Sequence, residues 1–171
     1  MILSIVTVIV VVLLITADLT VTLLVFLNVV ITDVFLFGHV SYAGLTLNPL
    51  VVLNIIIAVG IAVDYSAHIA YAYLVEPIPE NSELDTDTKK RIYKASKALR
   101  KMGSSVFHGG FSTFLAVLVL VANETYVGLV FFRLWFGIIF FGLANGFLFL
   151  PVMLSFIGPL HDVKDPLAEG V

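Results

Sequence analysis

The chain has no cysteine, a single tryptophan and little charge, with Asp, Glu, Lys and Arg making up 12% of its 171 residues. Without cysteine there is no disulfide framework and no thiolate metal ligand, which excludes a stapled secreted module and a cysteine zinc site. A formal net charge of -3 excludes the basic surface of an ordinary nucleic-acid binder, so nucleic acid is not an expected partner. No cofactor or metal is expected either. What is abundant is apolar: 60% of residues are hydrophobic, and the mean hydropathy is +1.11. That is too apolar for a soluble domain of this size. Runs free of Asp, Glu, Lys and Arg at 1–17, 34–63, 102–123 and 134–161 point to an all-α, polytopic transmembrane helix bundle.

Turn and polar punctuation divides the chain into about five expected spans, at 1–16, 20–40, 48–74, 105–122 and 128–156. The first two are separated by Thr16-Ala17-Asp18-Leu19, and the next two by Ser41 to Asn48 with Gly44 and Pro49 as breakers. The runs lack the period of two that a membrane β-barrel requires. Seven of the nine basic residues, Lys89, Lys90, Arg91, Lys94, Lys97, Arg100 and Lys101, lie in one connection, 76–104. The positive-inside rule makes that connection cytoplasmic, with the tail 158–171 on the same side and the N-terminus opposite. Arg133, near the outer end of the last span, is expected to snorkel, with Glu124 within its reach. Met1 opens directly into Ile2-Leu3-Ser4-Ile5-Val6 with no basic flank, so the chain reads as a C-terminal fragment or truncated product of a longer transporter-like protein.

The third span carries the chemistry. An ionisable group at the centre of a membrane helix costs at least about 2.5 kcal/mol, so Asp64 needs a reason to be there. Gly60 precedes it and His68 follows it by four residues each, which puts all three on one helical face, with Tyr71 close by. The glycine permits close approach of another helix. An imidazole and a carboxylate one turn apart can share or exchange a proton, so the face is a candidate relay for a proton or cation. The competing reading is a polar clamp that only holds spans together. Asn48, Asn54, Tyr65 and Ser66 add donors and acceptors along the same span, where packing and helix-end satisfaction are their simpler roles. Asp33, deep in the second span, is a second intramembrane carboxylate with no partner nameable from sequence. Two aspartates raise an intramembrane aspartyl protease, a class with Tyr-Asp and Gly-x-Gly-Asp. Here Asp33 follows Thr32 and Asp64 stands in Gly60-Ile61-Ala62-Val63-Asp64, so neither motif fits, and no enzyme is expected.

Three ordered motifs, Leu47-Asn48-Pro49 with Gly60-Ile61-Ala62-Val63-Asp64-Tyr65-Ser66-Ala67-His68, Ala98-Leu99-Arg100-Lys101-Met102-Gly103-Ser104-Ser105, and Phe149-Leu150-Pro151-Val152-Met153-Leu154, cover most of the chain. They resemble the tenth, eleventh and twelfth spans of the Patched and Niemann-Pick type C family, in the resistance-nodulation-division superfamily. Phe111-Ser112-Thr113-Phe114 and Phe131-Phe132-Arg133 lean toward its Patched-domain-containing branch. The resemblance implies twelve spans in two pseudo-symmetric halves, of which this sequence would be spans eight to twelve. It also implies movement of, or response to, sterols or other lipids, driven by a proton or sodium gradient, with Gly60 and Asp64 in the coupling motif and His68 matching a histidine one turn on. The partners it implies are membrane lipid or sterol, the first-half bundle and the extracellular domains, in the plasma or endolysosomal membrane. One departure is Asn145-Gly146, where the family usually has His-Gly. The alternative within the same fold is a non-transporting receptor or regulatory fragment in which Asp64 is a packing clamp.

Between Lys89 and Met102, Ile92, Ala95, Leu99 and Met102 recur at helical spacing among basic residues. This is either an amphipathic helix drawn to anionic lipid or a basic linker that sets orientation. Asn123-Glu124-Thr125 is a glycosylation sequon expected to be too near the membrane for use. Gly142 and Gly146, and Gly103, Gly109 and Gly110, are expected to let helices pack closely.

Overall fold

The computed structural model describes residues 2–46, 48–79, 86–122 and 125–160, with side chains from residue 6 onward. Asn123 and Glu124 of the sequon, most of the acidic link before the basic segment, and the tail beyond 160 lie outside the described residues.

Helix α1 (Ile2–Thr16) meets α2 (Leu19–Tyr42) through a two-residue connection. Ala17 turns the chain with φ 50°, and Asp18 caps α2 by accepting from the Val21 amide at 2.8 Å. The Thr16 and Thr22 hydroxyls, 3.0 Å apart, close the junction. At the other end Gly44, with φ 66°, reverses the chain, and Asn48 caps α3 (Pro49–Val75) through the Val51 amide at 2.9 Å. Proline at the first helical position costs α3 nothing, because that amide has no partner within the helix.

The expected amphipathic segment and the fourth span form one rod, α4 (Asp87–Leu118), extended by a 3-10 turn at Val119–Ala122. No proline interrupts it. Gly103, which could have broken it, is buried where a Cβ would stand 3.2 Å from Phe147 Cε1, so packing holds the helix through this point. The last span also continues without a break, from α5 (Tyr126–Ala144) through a π turn (Asn145–Phe149) into α6 (Leu150–Ile157). Pro151 lacks an amide proton and crowds the preceding turn, and the wider π turn accommodates it.

Among the described residues, four helical segments are long and apolar enough to cross a membrane: Leu19–Tyr42, Pro49–Val75, Asp87–Val121 and Tyr126–Ile157. The first expected span is present as the 15-residue α1, shorter than the roughly 20 residues a full crossing needs. Large apolar side chains such as Leu14, Leu23, Leu53, Leu148 and Phe156 stand exposed around the bundle, an exterior suited to lipid rather than water. One interior cluster joins Val25, Val63, Tyr73, Ala98 and Leu154 near the basic end, and a second joins Leu36, Val51, Ile55, Leu134 and Ile138 toward the other.

Two of the seven clustered basic residues turn inward. Lys94 is fully buried, its Nζ 3.5 Å from the Leu74 carbonyl and 5.5 Å from the Tyr73 ring centroid. Arg91 donates from Nε to the Gly158 carbonyl at 2.8 Å and from Nη1 to the Phe156 carbonyl at 3.0 Å. Both cations therefore sit at the C-terminal ends of α3 and α6, where free carbonyls concentrate negative charge.

Candidate functional site

Helix α3 presents its polar residues in two directions. Outward, Asp64 and His68 lie one turn apart near the middle of the helix, with His68 Nε2 3.2 Å from Asp64 Oδ1. Their side chains are 68% and 59% exposed, so the pair joins no two helices among the described residues. Gly60, a turn earlier, is exposed as well, and a Cβ added there would meet nothing within 4 Å.

A groove of about 280 Å³ flanks the pair on the α4 side, lined by Tyr65, Met102, Ser105, Val106 and Gly109. A second, of about 160 Å³, flanks it on the α1 side, with Ile15, Ala67 and Tyr71. Asp64 and His68 belong to both grooves and so form the ridge between them. A carboxylate and an imidazole held this way can pass a proton between them or admit a cation from either side, and among the described residues neither is committed to another bond.

Inward, Ser66 is buried; its hydroxyl donates to the Ala62 carbonyl at 2.9 Å and accepts from Asn28 Nδ2 at 2.7 Å. Thr32 donates to the Asn28 carbonyl at 2.8 Å and accepts from Asn145 Nδ2, at the start of the π turn, at 3.1 Å. These four residues tie α2, α3 and the last span together, and Asn28, Thr32 and Asn145 were not singled out from sequence as a network. The four-residue spacing of Asn28 and Thr32 in an apolar span was the available signal. Tyr65 lies against the last span, where a Cβ on Gly142 would stand 3.1 Å from its ring. Asn54 accepts from Trp135 Nε1 at 2.9 Å and donates to the Leu50 carbonyl at 2.8 Å. Asn54 and Ser66 are thus spent on packing, while Tyr65 borders the Asp64 groove.

Asp33 is half-buried, and its Oδ1 has no hydrogen-bond partner. The grooves around Asp64 are lined from α1, α3 and α4, so Asp33 on α2 is not among their lining residues. Arg133 donates to the Ala43 carbonyl at the end of α2 at 3.4 Å, and its own carbonyl pairs with His39 Nε2 at 2.9 Å. Among the described residues no group of three or more His, Asp or Glu is placed to hold a metal ion.

The bundle and its apolar exterior define a multi-pass, all-α integral membrane protein with an ionisable pair on one intramembrane face. No family profile matches the chain. It is 31% identical over 149 residues to the Niemann-Pick type C1-related protein of Toxoplasma gondii, covering 87% of this chain and 12% of that protein. It is 34% identical over 153 residues to the NPC1-like intracellular cholesterol transporter 1 of Homo sapiens, covering 88% and 10%. To protein patched homolog 3 of Caenorhabditis elegans it is 32% identical over 132 residues, covering 77% and 9%. The chain belongs to the Niemann-Pick C1 and Patched family, and it spans about a tenth of the length of the relatives it matches.

Proposed function

We propose that this chain is transmembrane machinery of a sterol or lipid transporter, the second-half bundle, and that Gly60, Asp64 and His68 couple lipid movement to a proton or cation gradient. The observation that carries the reading is the exposed Asp64–His68 pair, 3.2 Å apart near the middle of a membrane helix. A carboxylate facing lipid there would be costly, so this face is one that a further polar helix covers in the whole protein. Gly60, with open space before it, gives that helix room to approach. Relatives named as cholesterol transporters support the substrate class. The basic segment of α4 lies on the cytoplasmic side in this reading.

A packing clamp would hold two helices of the bundle, as the Asn28–Ser66 and Thr32–Asn145 pairs do, and Asp64 holds none among the described residues. The test is sterol transfer by the full-length protein in reconstituted vesicles, with and without an imposed proton or sodium gradient. Asp64→Asn is expected to abolish the acceleration that the gradient gives. Unchanged gradient dependence would end the coupling reading and leave Asp64 a structural residue.

A further inference from the structure

Helix α4 carries a second continuous face, on the side toward the last span. Phe107, Phe111 and Phe114 repeat at spacings of four and three and line, with Phe136, Phe140 and Leu143, an apolar-walled cavity of about 180 Å³. Beneath it the Leu143 side chain of α5 packs directly on α4, since a Cβ on Gly110 would stand 2.8 Å from Leu143 Cδ1. The rings are mutually ordered, with Phe107 and Phe111 stacked, their centroids 6.1 Å apart.

The same stripe continues toward the basic end through Ser104 to Arg100, again at spacings of three and four, and both are exposed. Unlike Arg91 and Lys94, Arg100 is not occupied with a helix end, and no carboxylate among the described residues pairs with it. From Arg100 to Phe111 is eleven residues, about 16 Å of helix at the standard rise. One leaflet of hydrocarbon is about 15 Å deep. With Arg100 at headgroup level, the phenylalanine groove therefore lies alongside the acyl chains of that leaflet.

We propose that this stripe is a binding site for an anionic phospholipid of the leaflet at the basic end of the bundle. The Arg100 guanidinium takes the phosphate in the two-pronged geometry that suits it, Ser104 donates beside it, and one acyl chain lies in the phenylalanine groove. A neutral sterol would use the groove and leave the cation without a counter-charge. A soluble anion would use the cation and leave the groove open. The site is separate from the Asp64 pair, whose grooves are lined by Ile15 of α1 and by Met102, Ser105, Val106 and Gly109 on another side of α4.

The test is native mass spectrometry of the protein purified in mild detergent after incubation with equal phosphatidylserine and phosphatidylcholine of matched chains. Phosphatidylserine should be retained preferentially. Arg100→Gln should lower its retention at least about tenfold, the loss of a two-pronged, charge-assisted contact. Lys101→Gln removes the same charge one position round the helix and should lower retention no more than about fivefold, the effect of one basic residue at a lipid surface. Phe111→Ala should weaken long-chain phosphatidylserine while leaving a short-chain analogue unchanged. Arg100, Lys101 and Phe111 are all exposed, and Trp135 emission checks that each variant is folded. Asp64→Asn should leave retention unchanged, which separates this site from the coupling pair. Equal losses in Arg100→Gln and Lys101→Gln, equal retention of both lipids, or an unaffected long-chain lipid in Phe111→Ala would each overturn the proposal.

Discussion

Substituting Gly137 by Ala sets a favourable local change against an unfavourable contact. Gly137 of α5 lies against the His39 ring of α2: an added Cβ would stand 2.5 Å from His39 Cδ2, 2.9 Å from Nε2 and 3.1 Å from Cγ. The imidazole cannot simply turn away, because its Nε2 is engaged with the Arg133 carbonyl at 2.9 Å and its ring stacks edge-on to Phe141 at 5.8 Å. Alanine gains at most about 1 kcal/mol in helix propensity over glycine. Forcing a methyl into a filled contact costs about 1–3 kcal/mol, and losing the His39 hydrogen bond costs about 1 kcal/mol more. Gly137→Ala should therefore destabilise the protein by about 1–3 kcal/mol. Thermal unfolding in detergent, followed by the emission of the single tryptophan, Trp135, measures this directly. Gly60→Ala is the matched control: nothing lies within 4 Å of its Cβ, so in this chain the same chemical change should stabilise by up to about 1 kcal/mol. A Gly137→Ala protein as stable as the parent, or a Gly60→Ala protein as weakened as Gly137→Ala, would refute the packing on which this reasoning rests.

Other substitutions probe the polar contacts separately. Asn54→Leu removes the acceptor for Trp135 Nε1 and should cost about 1 kcal/mol while shifting tryptophan emission to the blue; unshifted emission would mean that the bond is not made. Asp18→Ala leaves the Val21 amide without its cap and should cost about 1 kcal/mol in thermal unfolding. Arg91→Met removes both bonds to the end of α6 and should cost about 1–3 kcal/mol, whereas Lys89→Met, at an exposed position, should stay within about 0.5 kcal/mol.

Sequence made the helices legible because the signals are local. Thr16-Ala17-Asp18-Leu19 and the breakers Gly44 and Pro49 mark the connections, and long uncharged runs mark the spans. It also placed Gly60, Asp64 and His68 on one face, since a spacing of four needs only the helical period. What it could not give is what each face meets. Whether Ser66 points at a groove or at Asn28 depends on where α2 packs, and the pairing spans 38 residues. That the basic segment and the fourth span run on as one helix was not legible either, since the packing at Gly103 comes from Phe147, far along the chain. Likewise the basic cluster read as a lipid-drawn amphipathic helix or a linker that sets orientation, yet Lys94 and Arg91 serve helix ends whose positions only the fold supplies.

Ion movement itself is the most direct test of the proposed coupling. In sealed vesicles holding the full-length protein, proton or sodium uptake should accompany lipid transfer, and Asp64→Asn should abolish that uptake. Uptake by Asp64→Asn equal to that of the parent would contradict the account.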